Sequence, residues 1–319
     1  MTIKERIDVV NYNPQWPAHF AEEAERIKRA LGDNCIRIHH IGSTAVPGLA
    51  AKPVIDMLPV VHDISKVDDA LSNMEQLGYV AKGEFGMPFR RYFQKGQDKR
   101  THNVHVFEEK NPEIERHLKF RDWLQTHPAD RDAYAELKRY LAQQNPTDIM
   151  AYSLGKEAFI AHIDKQTGYQ GIRMVKAMST REWEAVARYR YYYFLNKNTG
   201  TDPYRWSFEH PEHTHFVLYH SADIVAYAHL QFWPNKQAAL RLIVVDETYQ
   251  KQGIGSQLLS LCERWLQQQG YQSVHVESTP EATNFFVKHG YVDRPCYDPD
   301  KRDAGINNKA LGKSFVPTE

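Results

Sequence analysis

The chain has 319 residues, of which 42% are hydrophobic and 25% are charged, and its formal net charge is zero at pH 7. This length fits two domains better than one core, and the composition excludes a disordered or fibrous chain. The charges also balance locally, with 23 Lys and Arg against 24 Asp and Glu in residues 1–168 and 17 against 16 in the remainder. We therefore expect no broad basic surface for nucleic acid or anionic lipid.

Cysteine usage and the apolar runs bear on the cellular compartment. Cys35, Cys262 and Cys296 are widely spaced and form no Cys-x-x-Cys motif. This pattern favours neither a disulfide framework nor a zinc ribbon, and it is typical of a reducing compartment, the cytoplasm. The first ten residues lack the apolar run of a signal peptide, and no stretch of about 18 apolar residues predicts a membrane helix.

The first half of the chain mixes short apolar strands with amphipathic helices. Gly32 and Gly78 follow two of the helical patterns as stop signals, and Thr147 is the predicted cap of the last helix. Strands and helices mixed in this way indicate an α+β domain. Strands are predicted at residues 7–10, 35–40, 54–61 and 104–106, and helices at residues 20–31, 67–77, 113–125, 128–144 and from 148 onward.

A short polar segment, Lys165-Gln166-Thr167-Gly168, marks the predicted boundary between a domain of residues 1–168 and one of residues 169–319. After it the alternation of strands and helices restarts, again as an α+β pattern. Strands are predicted at residues 171–177, 215–219, 224–232, 239–245, 273–277 and from 291. Three helices are predicted: one after a cap at Ser179 or Thr180, one that follows a Gly-rich turn and ends at residue 269, and one at residues 281–289.

The most informative segment of the second half is the turn Q-K-Q-G-I-G, residues 250–255, between an apolar strand and a helix. Glycines let a backbone approach a ligand closely, and the free amides at a helix start bind anions such as a pyrophosphate. A dinucleotide-binding G-x-G-x-x-G motif is not met, because Leu258 stands in the third glycine position.

This turn resembles the coenzyme A motif of the GNAT N-acetyltransferase superfamily, Gln/Arg-x-x-Gly-x-Gly/Ala. Ala282 and Gly290-Tyr291 match the superfamily's closing pattern, and the resemblance covers roughly residues 169–313. It implies a mixed sheet flanked by helices and direct transfer of an acetyl group from acetyl-CoA to an amine. The coenzyme-binding residues that it implies are Ile243, Val244 and Val245 for the pantetheine, and Gln250, Lys251, Gln252, Gly253, Ile254, Gly255 and Ser256 for the pyrophosphate.

The catalytic groups follow less directly from the motifs. The resemblance places Phe286 where the superfamily often has a tyrosine that protonates the leaving thiolate, and phenylalanine has no proton to give. Glu277 and Asp246, at the ends of predicted strands, are the candidate bases that deprotonate the amine. A coenzyme A-binding regulatory protein without catalysis therefore stays open as an alternative.

Residues 38–61 of the first half read I-H-H-I-G-S-T-A-V-P-G-L-A-A-K-P-V-I-D-M-L-P-V-V. This segment resembles the GrpB family, which has a nucleotidyltransferase-like fold, and the match continues through Phe89-Arg90-Arg91, H-N-V-H-V, H-L-K-F-R-D-W-L, Y-A-E-L-K and K-E-A-F-I. The ligand-site residues that it implies are Gly42, Ser43, Lys52, Asp56, Arg90, Arg91 and His105, with His102 nearby and Asp56 as a magnesium ligand.

Nucleotidyltransferases hold two magnesium ions with carboxylates spaced Asp-x-Asp, but Leu58 replaces the second one here. Glu108 is a candidate to repair the site. Three functions of the first domain stay open: nucleotidyl transfer, binding of a phosphorylated ligand without transfer, and unrelated chemistry. The leading prediction is acetyl transfer to a small acceptor, with a nucleotide or phosphorylated metabolite bound by the first domain. The cluster His210, His213 and His215 is interpreted as structural.

Overall fold

A computed structural model of the chain describes residues 6–96, 99–193, 202, 204–295, 298–299 and 308–316. Over this part the chain divides into two compact units, each with a mixed sheet and helices. The described residues up to Arg173, with His220–Ala222, form the first unit, and the others form the second. The predicted α+β class with two domains is confirmed, while the boundary after Gly168 stays a prediction.

The first unit is built around a five-stranded sheet in its described residues. Its strands are β1 (Cys35–Ile41), β2 (Ile55–Val61), β3 (Tyr79–Ala81), β4 (Arg90–Lys95) and β5 (His102–Glu108), in the order β1-β2-β5-β4-β3. Strand β2 is parallel to β5 and antiparallel to β1. Its side chains alternate between the two faces of the sheet, and six of the seven are buried, as in a strand that is covered on both faces.

The helices of the first unit are α1 (Trp16–Leu31), α2 (Leu71–Gln76), α3 (Pro112–Thr126), α4 (Pro128–Gln144), α5 (Ile149–Leu154) and α6 (Glu157–Gln166). Met57 of β2 packs in a core cluster with Ile27 of α1. Leu58, its neighbour, packs on the other face with Phe107 and residues of α3. Since side chains alternate along a strand, Asp56 belongs to the face of Leu58.

Three expectations for the first unit need correction. Residues 7–10 do not form a strand; Val10 makes only an isolated bridge with Ala51. The cap of α5 is Asp148, which accepts hydrogen bonds from the amides of Met150 and Ala151, rather than Thr147. The last predicted helix is two helices, α5 and α6, and strands β3 and β4 were not predicted.

The second unit contains a seven-stranded sheet in the part of the chain that the structure describes. Its strands are β6 (Ile172–Lys176), β7 (His213–His220), β8 (Asp223–Trp233), β9 (Gln237–Val245), β10 (Ser273–Ser278), β11 (Val292–Asp293) and β12 (Lys309–Ser314). They follow the order β11-β12-β10-β9-β8-β7-β6. Strand β12, which was not predicted, is antiparallel to β10 and β11 and lies between them.

The helices of this unit are α7 (Thr180–Tyr193), α8 (Ile254–Gln268) and α9 (Pro280–Lys288). Leu258, Leu259 and Cys262 of α8 are buried. Cys262 and Cys35 are free thiols, while Cys296 lies outside the described residues. No helix in the described part of the chain has the length and apolarity needed to cross a membrane.

Candidate functional site

Strands β9 and β10 part from each other in the middle of the second sheet. In the described residues their parallel ladder covers only Gln237–Ala239 and Ser273–His275. Strand β9 nevertheless stays paired with β8 as far as Val245. The edge of β9 that follows Ala239 therefore lacks β10 as a partner, and its backbone groups are available to an extended ligand.

A β-bulge lies on the same stretch of β9. His229 of β8 is opposite Leu242, and Leu230 is opposite Leu240, so Arg241 is the additional residue. The guanidinium of Arg241 donates to Gln231 at 2.6 Å and pairs with Asp298. Because a bulge rotates the peptide groups of its strand, the bulge at Arg241 changes which backbone N–H and C=O groups of β9 point into the gap.

The gap leads to the turn that precedes α8. Gly253 is the N-cap of the helix, with φ of 82°, and as a glycine it makes no side-chain bond to the amides of the first turn. The first helical bond runs from the Gln257 amide to the Gly253 carbonyl. The amides of Ile254, Gly255 and Ser256 precede it and have no intrahelical acceptor, as at every helix start. They lie at the positive end of a 15-residue helix, where backbone amides favour an anion.

Two glutamines hold this turn in place. Gln250 donates to the Val245 carbonyl at 3.0 Å, and Gln252 donates to the Thr248 carbonyl at 2.8 Å. Both side chains therefore brace the loop. A Cβ at Gly255 would lie 3.5 Å from Val245 and 3.7 Å from Phe285. The structure thus brings together the end of β9, the predicted coenzyme turn and α9.

The candidate bases occupy different environments. Asp246 accepts hydrogen bonds from the amide and the hydroxyl of Thr248, at 3.1 and 2.7 Å, and caps the short helix after β9. Glu277 is half-buried on β10, beyond the end of the β9–β10 ladder. Phe286 is buried against Tyr291, with ring centroids 5.3 Å apart. The two carboxylates lie just after β9 and on β10, and their role as bases stays a prediction.

The first unit contains a polar cavity of about 370 Å³. Four residues predicted from the sequence line it, namely Ser43, Lys52, Asp56 and His105. The other lining residues that matter below were not predicted. They are Arg100 and Asn103 from the sheet side, and Lys138, Ile149, Met150, Tyr152, Ser153 and Lys156 from α4, α5 and the start of α6.

Asp56 is held by the residues around it. Asn103 donates to Asp56 Oδ1 at 2.8 Å, and His105 Nε2 lies 3.9 Å from the same oxygen. Burial disfavours the charge, but His105 and Asn103 together with the nearby charge of Lys52 bring the pKa of Asp56 below its ordinary value. Asp56 therefore contributes a fixed negative charge to the cavity.

Three lysines surround that carboxylate. Lys138 Nζ donates to Ser43 Oγ at 2.8 Å and to the Ala50 carbonyl, and it lies 4.5 Å from the ring centroid of Tyr134. Burial, reinforced by the charge of Lys156, lowers the pKa of Lys138 to about 7. Lys52 and Lys156 add positive charge beside the carboxylate, so the site favours an anion.

Lys52 and Lys156 share one aromatic neighbour. Their ammonium groups lie 5.1 and 4.8 Å from the ring centroid of Tyr152. Burial and then the charge of Lys52 lower the pKa of Lys156 to about 8. A bound phosphate would neutralise this repulsion, since lysine serves as a point charge for phosphate groups.

The two predicted arginines do not line this cavity. Arg91 pairs with Asp68 at 2.7 Å on another part of the surface. Arg90 is buried, donates to the carbonyls of Glu84 and Phe85, and reaches His105 Nδ1 at 3.2 Å. Arg90 therefore supports His105, and the cations of the cavity are lysines together with Arg100.

The residues present do not fit a magnesium ion held by the protein alone. Asp56 is the one carboxylate among the described residues that line the cavity, and Leu58 is buried in the core. Glu108 accepts from the Ile64 amide and pairs in register with Val61, away from the Asp56–Asn103 pair. In the part of the chain that is described, no group of three or more His, Cys, Asp or Glu residues can hold a metal.

Comparisons with known proteins agree with both resemblances. Residues 6–166 match the family model GrpB protein, and residues 177–291 match Acetyltransferase (GNAT) family. The chain therefore consists of a GrpB domain followed by a GNAT acetyltransferase domain. The chain belongs to the GrpB family, and the resemblances seen in its motifs are confirmed.

Individual relatives cover one unit each. UPF0157 protein YqkA of Bacillus subtilis is 50% identical over 157 residues, which are 49% of this chain and 46% of that protein. The crystal structure of conserved protein GrpB from Enterococcus faecalis is 47% identical, covers 50% of this chain and 96% of that one, and has a TM-score of 0.49. The crystal structure of an acetyltransferase of GNAT family from Staphylococcus aureus Mu50 is 16% identical, covers 46% of this chain and 100% of that one, and has a TM-score of 0.38.

Proposed function

We propose that the second unit transfers an acetyl group from acetyl-CoA to an amine of a small acceptor. The observation that carries this proposal is the gap between β9 and β10, which leads into a helix start with uncapped amides. An extended amide arm pairs with Ile243, Val244 and Val245, and a pyrophosphate is bound by the turn from Lys251 to Ser256. These contacts place the thioester at the point where the two strands part.

The coenzyme supplies an activated acyl thioester, and the protein positions the amine. The amine nitrogen attacks the thioester carbonyl, the carbon–sulfur bond breaks, and one proton leaves the amine while one reaches the thiolate. We assign Glu277 as the base, because it is half-buried on β10 beyond the end of the β9–β10 ladder, beside the gap. Phe286 cannot supply the second proton, so water is assigned to that step.

The test of this proposal is thiol release from acetyl-CoA with a panel of small amines. Glu277→Gln should lower the rate about 10²–10⁴-fold, the usual contribution of a general base. Asp246→Asn serves as the matched carboxylate control and should change it less. Coenzyme binding without thiol release for any amine would favour the alternative of a non-catalytic coenzyme A-binding protein.

For the first unit we propose binding of a phosphorylated ligand without two-metal nucleotidyl transfer. The lysines around Asp56 supply the cations, and the lack of a second carboxylate among the described residues of the cavity lining argues against two bridged magnesium ions. Calorimetry with nucleotides and sugar phosphates should detect binding that Lys156→Met weakens. Arg91→Met, which removes a cation outside the cavity, is the control. Pyrophosphate release from a nucleoside triphosphate with magnesium, lost in Asp56→Asn, would overturn this proposal.

A further inference from the structure

Ser43 and Lys138 form a close pair inside the cavity of the first unit. Ser43 begins the short helix Ser43–Ala45 directly after Gly42 and lines the cavity. Its Oγ lies 2.8 Å from Nζ of Lys138, a residue that is only 2% exposed. The Ala50 carbonyl accepts from the same Nζ and so fixes its position. The hydroxyl of Ser43 thus combines access to the cavity with a buried amine.

The surroundings of Lys138 favour a neutral amine. Burial is the main cause that disfavours its charge, Lys156 and Arg139 add positive charge nearby, and the charge of Asp56 opposes these effects only in part. Burial without a paired anion destabilises an ammonium group, and the lowered pKa of Lys138, about 7, agrees with this. In the structure Nζ donates to both Ser43 Oγ and the Ala50 carbonyl. Once neutral, Nζ keeps an N–H for Ala50, and its lone pair can take up the Ser43 proton when Oγ attacks. This arrangement activates a serine nucleophile, as in Ser-Lys catalytic pairs.

We propose that Ser43, activated by Lys138, is the nucleophile of a second active site that hydrolyses carboxylic esters bearing an anionic group. The assignment goes beyond the proposed binding of a phosphorylated ligand and does not depend on the acetyltransferase chemistry. The anionic group of the ester is bound by Lys52 and Lys156, which line the same cavity. The ester carbonyl lies over Ser43.

The reaction proceeds in two balanced steps. First, Ser43 Oγ bonds to the carbonyl carbon and its proton passes to Lys138. The carbon–oxygen bond of the ester then breaks, and the Lys138 ammonium returns the proton to the leaving alkoxide. In the second step water attacks the acyl-serine and gives a proton to Lys138. The bond between the acyl carbon and Ser43 Oγ then breaks, Lys138 returns the proton to Oγ, and the carboxylic acid leaves. Water is the only co-reactant.

The experiment uses the full chain with two esters, neutral p-nitrophenyl acetate and the anionic mono-p-nitrophenyl ester of succinic acid. Mass spectrometry of the trapped protein should find the acyl group on Ser43. The anionic ester should react faster, and Lys138→Met should slow acylation about 10²-fold or more. Ser65→Ala, which removes an exposed hydroxyl outside the cavity lining, is the control and should react like the unmodified chain.

The pH profile separates a base from a merely structural lysine. Acylation should rise with pH through about 7, in step with deprotonation of Lys138. The charged and titratable groups that face Lys138 are Lys156, Arg139, Asp56 and Tyr134. Label on a residue other than Ser43, or an unchanged acylation rate in Lys138→Met, would overturn the nucleophile assignment. Equal rates for the two esters would overturn the substrate class.

Because Lys138→Met removes buried hydrogen bonds and can unfold the unit, a second variant leaves Lys138 in place. Ser43→Cys puts a thiol beside Nζ, and transfer of its proton to the amine should make it react with iodoacetamide below the ordinary thiol pKa of about 8.5. Cys35, a buried thiol of the same unit, is the internal reference. If the thiol introduced at position 43 reacts only above that pH, proton acceptance by Lys138 is contradicted.

Discussion

Gly42 lies so close to Asp56 that a Cβ at position 42 would stand 2.5 Å from Asp56 Oδ2. The backbone of Gly42 has φ of 69°, a conformation that L side chains rarely adopt. Two independent constraints therefore demand glycine at this position. The Gly-Ser turn and the carboxylate of β2 form one packed unit, although thirteen residues separate Ser43 from Asp56 along the chain.

Gly42→Ala should abolish ligand binding by the first unit, because either Asp56 or the turn must move. Gly48→Ala is a close control, since Gly48 has φ of 79° but a Cβ there would meet only the Arg131 side chain at 3.5 Å. Both variants carry similar backbone strain, and only the first disturbs Asp56. Calorimetry with the best phosphorylated ligand checks the difference; equal loss in both would show that strain alone acts.

Gly253→Asp should weaken coenzyme A binding, because it puts a carboxylate beside the amides proposed to bind the pyrophosphate. Gly270→Asp, beyond the other end of α8, is the control. The two glycines have φ of 82° and 80°, and a Cβ at either would meet nothing within 4 Å. Titration with coenzyme A measures the change. Similar affinities for both variants would show that the pyrophosphate does not bind at this turn.

Phe286→Tyr should raise the rate of acetyl transfer once an acceptor is known. A general acid contributes about 10²–10⁴-fold, and this substitution restores the residue type that the superfamily often uses. Phe285→Tyr adds the same hydroxyl at the neighbouring ring and serves as the control. An unchanged rate in Phe286→Tyr would mean that protonation of the thiolate does not limit transfer.

Stability should rise with pH above neutrality. The pKa values of Lys138 and Lys156, about 7 and about 8, are lowered from the ordinary lysine value of 10.5. At a pH between the lowered pKa in the folded protein and the ordinary lysine pKa of 10.5, the unfolded chain binds more protons than the folded one. Raising the pH therefore favours folding. Thermal melts from about pH 6.5 to 9.5 should show this rise, and Lys156→Met should flatten it. Lys66→Met, at an exposed position, should leave the slope as it was. A melting temperature that falls as the pH rises over this range would contradict the lowered pKa values of the two lysines.

The sequence predicted those parts of the molecule whose signal is local. The strand, the turn and α8 were expected because Q-K-Q-G-I-G follows an apolar run, and Asp56 was expected because its segment resembles the GrpB family. Lys138 and Lys156 escaped notice as site residues, although they lie in the segments Y-A-E-L-K and K-E-A-F-I. A lysine on a polar helix is indistinguishable in sequence from a solvated one, and only the packing of α4 and α6 against the Ser43 turn buries it.

Long-range pairing was the other obstacle. Strand β4 carries Arg90, Arg91, Gln94 and Lys95, so its apolar alternation is weak, and its partner β5 supplies the context that makes it a strand. Arg90 and Arg91 were grouped as neighbours in sequence, but adjacent strand residues point to opposite faces. One supports His105 and the other pairs with Asp68.

The position of β12 affects how the second sheet is completed during translation. This strand is later in the chain than β11, yet it lies between β10 and β11. Until residue 314 has left the ribosome, β10 has an open edge on one side, and open strand edges invite pairing with other chains. The strands of the first sheet are all complete by Glu108. Nascent chains stalled before β12 should therefore bind chaperones through the second unit while the first is already folded.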